Sequence, residues 1–295
     1  ITPEARRRKI RKLINNKKGI RILEAHNPIS AIIAEKTNYF ENSYKLHFDG
    51  IWSSSLTDST SRWKPDIESL DLTSRVNNLH EMMEVCNLPI IYDADTGGIT
   101  EHFNFMVRTL ERIGVSMVVI EDKTGLKMNS LFGNEVKQTQ EDPLKFAEKI
   151  SSGKKSQITS EFMITARIES LILSFGMDDA IKRAGIYIEA GADAIMIHSR
   201  EKDGKEVFEF IQILRNKLKS NLPIVLVPTS YNSFKFDELI GKGANVIIYA
   251  NHMLRAAYPA MCTVASKILE YGRTQEVEKE LLSINEILNF SKLSN

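Results

Sequence analysis

Residues 88–123 read LPIIYDADTGGITEHFNFMVRTLERIGVSMVVIEDK. Two short apolar runs, 88–92 and 116–120, enclose the segment 102–113, in which apolar residues recur at helical spacing. Gly114 follows that segment, where helix-terminating glycines are common. A strand, a helix and a second strand in this order form the repeating unit of folds with parallel sheets.

The same unit recurs along the whole chain. Apolar runs rich in Ile and Val predict eight buried strands at residues 20–25, 48–52, 88–92, 116–120, 162–166, 194–197, 224–227 and 246–249. Amphipathic segments between them predict helices at 30–37, 72–86, 102–113, 143–151 and 177–189. This pattern predicts an α/β fold, a (β/α)8 TIM-type barrel. A doubly wound sheet is the alternative, but no Gly-x-Gly-x-x-Gly follows the first run.

Composition limits the classes of function. The chain has 295 residues, a formal net charge of +1 and two cysteines without spaced partners. We therefore expect a soluble cytoplasmic protein with no structural disulfide or zinc, no membrane span and no surface built for nucleic acid. Because the chain begins with Ile1, we interpret it as trimmed or as one domain of a longer fusion protein.

Both ends of the chain are expected to be helical. Residues 1–21 hold nine Lys or Arg and one Glu, which predicts a basic leading helix at 1–19 with a solvated charged face. The alternative is that these charges bind the phosphate backbone of a nucleic acid or an anionic membrane. The catalytic barrel is assigned to 20–271 and a C-terminal helical extension to 272–295. An apolar stripe in a predicted helix at 268–293 suggests packing on a neighbouring subunit, hence a homodimer or homotetramer.

Three irregular stretches interrupt the pattern, at 38–47, 53–70 and 124–142. The last two directly follow strands, where a barrel keeps its active site. The first has no functional interpretation from the sequence.

Carboxylates follow two neighbouring strands. Asp93 and Asp95 are two residues apart and face the same side of a strand, and Glu121 ends the next strand. Such an oxygen-rich set suits Mg²⁺ or Mn²⁺. The alternative is that Asp95 caps the next helix and the others pair with Lys.

Arg167 and His198 end two later strands and suit a phosphate or carboxylate group. Their alternative role is a buried salt bridge with a wall carboxylate such as Glu169. Together with a metal, they would suit a small substrate with two or three negative charges.

Several motifs resemble the isocitrate lyase and phosphoenolpyruvate mutase superfamily. They are Glu24-Ala25-His26-Asn27, Gly50-Ile51-Trp52, Asp93-Ala94-Asp95-Thr96-Gly97, Glu121-Asp122-Lys123, Lys127-Met128-Asn129-Ser130-Leu131, Ala166-Arg167-Ile168-Glu169, Gly191-Ala192-Asp193-Ala194, His198-Ser199 and Ala250-Asn251-His252. The resemblance covers nearly the whole chain, from about residue 10 to about residue 270. One departure is Ser53-Ser54-Ser55, where the family commonly has Gly beside the Ser.

The motif at 127–131 distinguishes the branches of this superfamily. Lyases carry a catalytic Cys where this chain has Asn129 and a His where it has Leu131. The resemblance therefore implies a phosphoenolpyruvate mutase, which interconverts phosphoenolpyruvate and phosphonopyruvate in the first step of phosphonate biosynthesis. Phosphonopyruvate hydrolase, which usually has Thr in place of Asn129, is the runner-up. A carbon–carbon lyase and an inert barrel with an assembly role remain further alternatives.

The resemblance also implies roles for single residues and a late helix exchanged between paired barrels. Mg²⁺, with Mn²⁺ as a substitute, would contact Asp93 directly and Asp95 and Glu121 through waters. The implied catalytic residues are Asp66, Lys127, Asn129, Ser130, Arg167 and His198, and the implied substrate-binding residues are Trp52, Ser54, Ser55, Leu56, Leu131 and Ser199. Residues 127 and 129–131 would lie on a gating loop, while Asp66 would orient the substrate or accept its phosphoryl group.

Overall fold

A computed structural model describes residues 1–290 of the chain, apart from the side chains of residues 133–135. Its strands are β1 Ile20–Glu24, β2 Asn38–Glu41, β3 Tyr44–His47, β4 Gly50–Ser53, β5 Ile90–Asp93, β6 Met117–Glu121, β7 Lys123–Thr124, β8 Thr139–Gln140, β9 Met163–Ile168, β10 Ala194–Ile197, β11 Ile224–Leu226 and β12 Val246–Tyr249. Its α-helices are α1 Pro3–Arg7, α2 Lys9–Asn16, α3 Pro28–Lys36, α4 Ser55–Thr60, α5 Leu72–Val85, α6 Thr100–Ile113, α7 Pro143–Ser156, α8 Gly176–Glu189, α9 Lys205–Lys217, α10 Phe236–Gly241, α11 His252–Tyr271 and α12 Ile284–Phe290. Short 3₁₀ helices span Ser130–Glu135 and Glu278–Glu280.

Eight parallel strands close into a barrel in the order β1-β12-β11-β10-β9-β6-β5-β4. The predicted TIM-type barrel is confirmed, and each predicted strand lies within two residues of an observed one. Alternate residues of the strands, such as Ile20 and Ile22 or Met117 and Val119, point inward and form one buried cluster. Gly114 and Gly191 adopt the left-handed conformation at φ 96° and 98°, as expected of glycines that end helices.

The amino-terminal segment covers the barrel differently from the prediction. It forms two short helices, α1 and α2, and Ile10 joins the buried barrel cluster. Arg6 and Arg7 are buried, so the predicted solvated face is wrong for both. Arg6 donates to the carbonyl oxygens of Met83 and Cys86 at the end of α5, and Arg7 donates to that of Glu111 in the last turn of α6. Free carbonyls at helix C-termini attract cations, which explains this burial.

The stretch at 38–47 is a β-hairpin rather than an irregular loop. Its strands β2 and β3 pair antiparallel, and the turn residues Asn42 and Ser43 have φ of 46° and 70°. Positive φ at both turn residues is the usual geometry of a two-residue hairpin turn. The side chains of Tyr39, Phe40 and Tyr44 are exposed.

The chain forms two compact units, residues 1–251 and the segment from His252 onward. The predicted boundary between the catalytic barrel and the C-terminal extension, after residue 271, falls inside the second unit. This division into domains stays a prediction. The predicted continuous helix at 268–293 is wrong for 272–283, because Gly272 at φ 62° ends α11 and Ser283 caps the start of α12. Its last three residues, 291–293, lie outside the described residues. None of the helices in the described part of the chain has the length and hydropathy needed to cross a membrane.

Candidate active site

A cavity of about 80 Å³ opens at the carboxyl ends of the barrel strands. This is the face on which barrels carry active sites. All of the site residues predicted from the sequence line this cavity, except Asp95 and Glu121. The predicted residues that line it are Trp52, Ser54, Ser55, Leu56, Asp66, Asp93, Lys127, Asn129, Ser130, Leu131, Arg167, His198 and Ser199. Both exceptions are buried and pair with a lining cation. Lys127 Nζ lies 2.6 Å from Asp95 Oδ1, and Arg167 Nη2 lies 3.1 Å from Glu121 Oε2.

Asp93 ends β5 and is held by backbone and hydroxyl donors. Its Oδ2 accepts hydrogen bonds from Ser55 Oγ at 2.9 Å and Ser55 N at 3.3 Å. Burial acts to raise the pKa of Asp93, but the positive charges of Lys127, Arg167 and Arg75 outweigh it and lower the pKa. Asp93 is therefore ionised and available as a metal ligand at neutral pH.

Glu121 is the least satisfied carboxylate of the site. Neither of its oxygens makes a hydrogen bond with the described residues, although Lys123 Nζ lies 3.3 Å from Oε1. Burial raises the pKa of Glu121 to about 7 despite Arg167 and Lys123. A buried carboxylate without hydrogen bonds has room for water molecules as partners.

The donor set fits a hydrated hard cation better than a closed protein cage. Among residues 1–290, no three His, Cys, Asp or Glu side chains are grouped closely enough to hold a metal by themselves. Mg²⁺ usually keeps several waters and takes only one or two carboxylates directly. Asp93 as the direct ligand, with Asp95 and Glu121 behind waters, agrees with this preference and with the Glu121 oxygens, which make ion pairs but no hydrogen bonds with the described residues.

Arg167 and His198 both line the cavity, and Arg167 carries a positive charge there. Arg167 donates from Nε to Glu169 Oε1 and from Nη2 to Ser130 Oγ, both at 2.6 Å. Burial and the neighbouring Arg167 lower the pKa of His198 to about 3. His198 Nε2 is buried without a hydrogen-bond partner among the described residues. An anion bound here would therefore contact the guanidinium of Arg167, which is held in place by hydrogen bonds. Its negative charge would also favour protonation of His198, which is otherwise neutral.

The segment 124–142, here called the gate segment, contributes Lys127, Asn129, Ser130 and Leu131 to the cavity wall. Lys127 Nζ donates to Ser55 Oγ at 3.0 Å and also to Asp66. Asn129 Nδ2 donates to Asp66 Oδ2 at 2.7 Å. Burial lowers the pKa of Lys127, but the carboxylates of Asp95 and Asp66 reverse this and raise it, so Lys127 stays charged. The gate segment therefore contacts Asp66 through two side chains, in addition to the contacts of Lys127 with Ser55 and Asp95.

Sequence reasoning missed Arg75, a buried arginine behind the carboxylates. Its Nε donates to Asp58 Oδ2 at 2.9 Å, and its Nη1 donates to the carbonyl oxygen of Asp93 at 2.5 Å. Arg75 lies on the same face of α5 as the buried Leu79 and Met82. A charged residue on this apolar face was the feature of the sequence that could have identified it. The remaining cavity wall consists of Ile172, Met196, Val227, Thr229, Ser230, Ala250 and Asn251. Ala250 and Asn251 belong to a motif quoted above, but none of the seven residues was assigned a role.

Comparisons with known proteins agree with this geometry. The family model described as phosphoenolpyruvate phosphomutase matches residues 10–269. The phosphoenolpyruvate phosphomutase of Tetrahymena pyriformis is 33% identical over 279 residues, covering 94% of this chain and 88% of that protein. A crystal structure of a phosphoenolpyruvate phosphomutase from Streptomyces platensis subsp. rosaceus superposes with a TM-score of 0.87 at 34% identity, covering 95% of this chain and 93% of that chain.

A second solved structure belongs to a phosphonopyruvate hydrolase in complex with oxalate and Mg²⁺. It superposes with a TM-score of 0.85 at 30% identity, covering 98% of this chain and 94% of that chain. Mutases and hydrolases therefore match at similar identity, and overall similarity does not separate the two activities. With the family model matched over residues 10–269, the chain belongs to the phosphoenolpyruvate phosphomutase family of enzymes.

Proposed function

We propose that this enzyme is a phosphoenolpyruvate mutase that moves a phosphoryl group between the enol oxygen of phosphoenolpyruvate and C3 of phosphonopyruvate. The observation that carries the proposal is Asn129. It stands where lyases of the superfamily have their Cys, and the cavity wall described above contains no cysteine. Its amide donates to Asp66 inside the closed gate, so a donor is already directed at the reacting region. A lyase would lack its carbon acid or base here.

The cavity offers groups for both halves of the substrate. Mg²⁺, or Mn²⁺ in its place, bound through Asp93 would supply charge stabilisation at the carboxylate and enolate oxygens. The backbone amides of Ser54 and Leu56 would orient the same oxygens, while that of Ser55 donates to Asp93. Arg167, His198 and Asn129 would hold the phosphoryl group, whose loose transition state depends on positioning and charge.

The gate segment would keep the reaction intramolecular. Lys127 and Asn129 both contact Asp66, and Ser130 accepts a hydrogen bond from Arg167. A closed gate excludes the water that would otherwise attack phosphorus. Asp66 would orient the phosphoryl group or accept it transiently.

Both cysteines are free, Cys86 buried and Cys262 exposed. This supports our proposal of a cytoplasmic enzyme, in which reduced thiols are expected. The late helices support the further proposal of a homodimer or homotetramer.

Phosphorus NMR tests the proposed reaction directly. The protein is incubated with phosphonopyruvate and Mg²⁺, and we expect the phosphonopyruvate signal to be replaced by that of phosphoenolpyruvate. Release of inorganic phosphate instead would identify a phosphonopyruvate hydrolase, the activity of the 33% identical relative from Variovorax sp. (strain Pal2).

A further inference from the structure

Two residues beside the cavity have an unusual backbone conformation. Glu68 has φ of 58° and Asp95 has φ of 54°. Positive φ is uncommon for residues other than Gly and is retained only where the surroundings enforce it. Glu68 lies two residues after Asp66, and Asp95 lies in the turn that follows β5.

One hydrogen-bonded contact joins these two strained positions. Glu68 Oε1 accepts from Thr96 N at 2.9 Å and from Thr96 Oγ1 at 2.6 Å. Thr96 is buried and directly follows Asp95. The carboxylate of Glu68 therefore holds the peptide unit that fixes the left-handed turn at Asp95.

Packing contributes little to the segment that carries Glu68. Residues 61–65, 68 and 69 are exposed, and Leu70 is the first buried residue after them. Glu68 also lines two surface cavities of about 500 and 380 Å³. In the closed enzyme Asp66 is additionally held by Lys127 and Asn129, but both lie on the gate segment and leave with it when it opens.

We propose that Glu68 is a positioning residue that fixes Asp66 relative to the Asp95 turn while the gate segment is open. The inference rests on the proposed function, since it concerns the same reaction. Glu68 touches neither substrate nor metal in this scheme and acts through Thr96. Substrate would then enter a site in which Asp66 and the carboxylates are already aligned, and gate closure would only have to add Lys127 and Asn129.

Three variants of the chain test this proposal. Glu68→Ala removes the acceptor, whereas Glu68→Gln keeps an oxygen that can accept from both groups of Thr96. Glu81→Ala, at an exposed position of α5, is the matched control. Amide hydrogen exchange at Thr96 is measured on the ligand-free protein, and kcat and KM for phosphonopyruvate are measured with saturating Mg²⁺.

In Glu68→Ala we expect Thr96 to exchange about tenfold faster and kcat to fall about tenfold with little change in KM. Glu68→Gln should restore both quantities, and the control should match wild type. Wild-type exchange at Thr96 in Glu68→Ala would overturn the proposal. An unchanged kcat in Glu68→Ala would also overturn it. A uniform rise in amide exchange over the barrel helices together with a lower Tm would overturn it too, because this result would indicate general destabilisation.

Failure of the proposed function would be recognised separately. If wild type releases phosphate, the same variants are compared by their rate of hydrolysis. If wild type has no activity, the rise in Tm with Mg²⁺ and oxalate replaces kcat, and it should shrink in Glu68→Ala alone. An equal rise in all three variants would overturn the proposal.

Discussion

At the scale of single residues, Asp93 carries the expected metal contact. Its Asp93→Ala variant should lose turnover and also the rise in Tm with Mg²⁺ and oxalate, because its carboxylate is the proposed direct ligand. Activity assays and thermal melts with and without both additives measure this. Asp178→Ala, at an exposed position of α8, should behave as wild type. Mg²⁺-dependent activity retained in Asp93→Ala would refute the metal assignment.

Asn129 distinguishes the two proposed chemistries. Asn129→Thr replaces an amide donor with a shorter hydroxyl that leaves room for a water, so mutase turnover should fall and phosphonopyruvate hydrolysis should appear. A lost hydrogen bond to a charged group costs about 1.5 to 3 kcal/mol, or roughly ten- to a hundredfold in rate. Phosphorus NMR follows both products.

The control for this substitution is Asn216→Thr on the exposed side of α9. Affinity for oxalate should stay near that of wild type in both variants, because oxalate mimics only the enolate half of the substrate. Unchanged isomerisation in Asn129→Thr would contradict the assigned role. An equal fall in oxalate affinity and turnover would show that Asn129 only shapes the loop.

His198 gives a prediction for the dependence of stability on pH. Its pKa is lowered from 6.5 to about 3 in the fold, so the unfolded chain takes up the proton first as pH falls. The folded state therefore loses stability below about pH 6.5, by up to about 2 kcal/mol between pH 7 and pH 5. Urea unfolding without Mg²⁺ should show a larger loss in wild type than in His198→Gln. Equal losses would contradict the lowered pKa.

The residues of the site were predictable where they follow strands. A parallel barrel brings the carboxyl ends of all its strands to one face, so Asp93, Arg167 and His198 had to meet there. Glu68 and Arg75 were not predictable in this way. Glu68 depends on a left-handed conformation within a loop, and Arg75 acts from a helix through backbone carbonyls, neither of which follows from strand order.

At the scale of elements, the gate segment depends on Ser130. Its hydroxyl accepts from Lys123 Nζ at 3.0 Å and from Arg167 Nη2 at 2.6 Å, and it donates to Glu169. Ser130→Ala should remove all three contacts and let the segment open. We expect faster amide exchange in peptides covering 126–138 by about tenfold. Peptides from α8 are the internal control, and unchanged exchange at 126–138 would show that other contacts close the gate.

The elements were predictable where burial alone decides them. Continuous apolar runs identified the barrel strands because both faces of a parallel strand are covered. The hairpin β2–β3 was missed because its aromatic side chains are exposed, so no buried face marks it. The leading arginines were misinterpreted because their partners are carbonyl groups of distant helices, which a charge count does not reveal.

At the scale of the whole molecule, the second unit bears on the proposed self-association. Several of its large apolar side chains are exposed, among them Leu269 at 86%, Ile284 at 71% and Leu288 at 63%. Apolar surface of this kind is expected to be covered by another protein surface. Light scattering at micromolar concentration should therefore show a dimer or a tetramer. Replacing Leu269 and Leu288 with Ser should lower the mass, and a monomeric wild type would contradict the prediction.

The amino-terminal cover of the barrel has a consequence for protein synthesis. Arg11 of α2 pairs with Asp193, which lies 182 positions further along the chain. Translation proceeds from the amino end, so the basic segment leaves the ribosome long before its partners exist. Its last ion pair can form only once residue 193 of 295 has emerged. The amino-terminal segment therefore docks in stages, because Arg6 gains its partners once residue 86 has been made, Arg7 once residue 111 has been made and Arg11 only with residue 193.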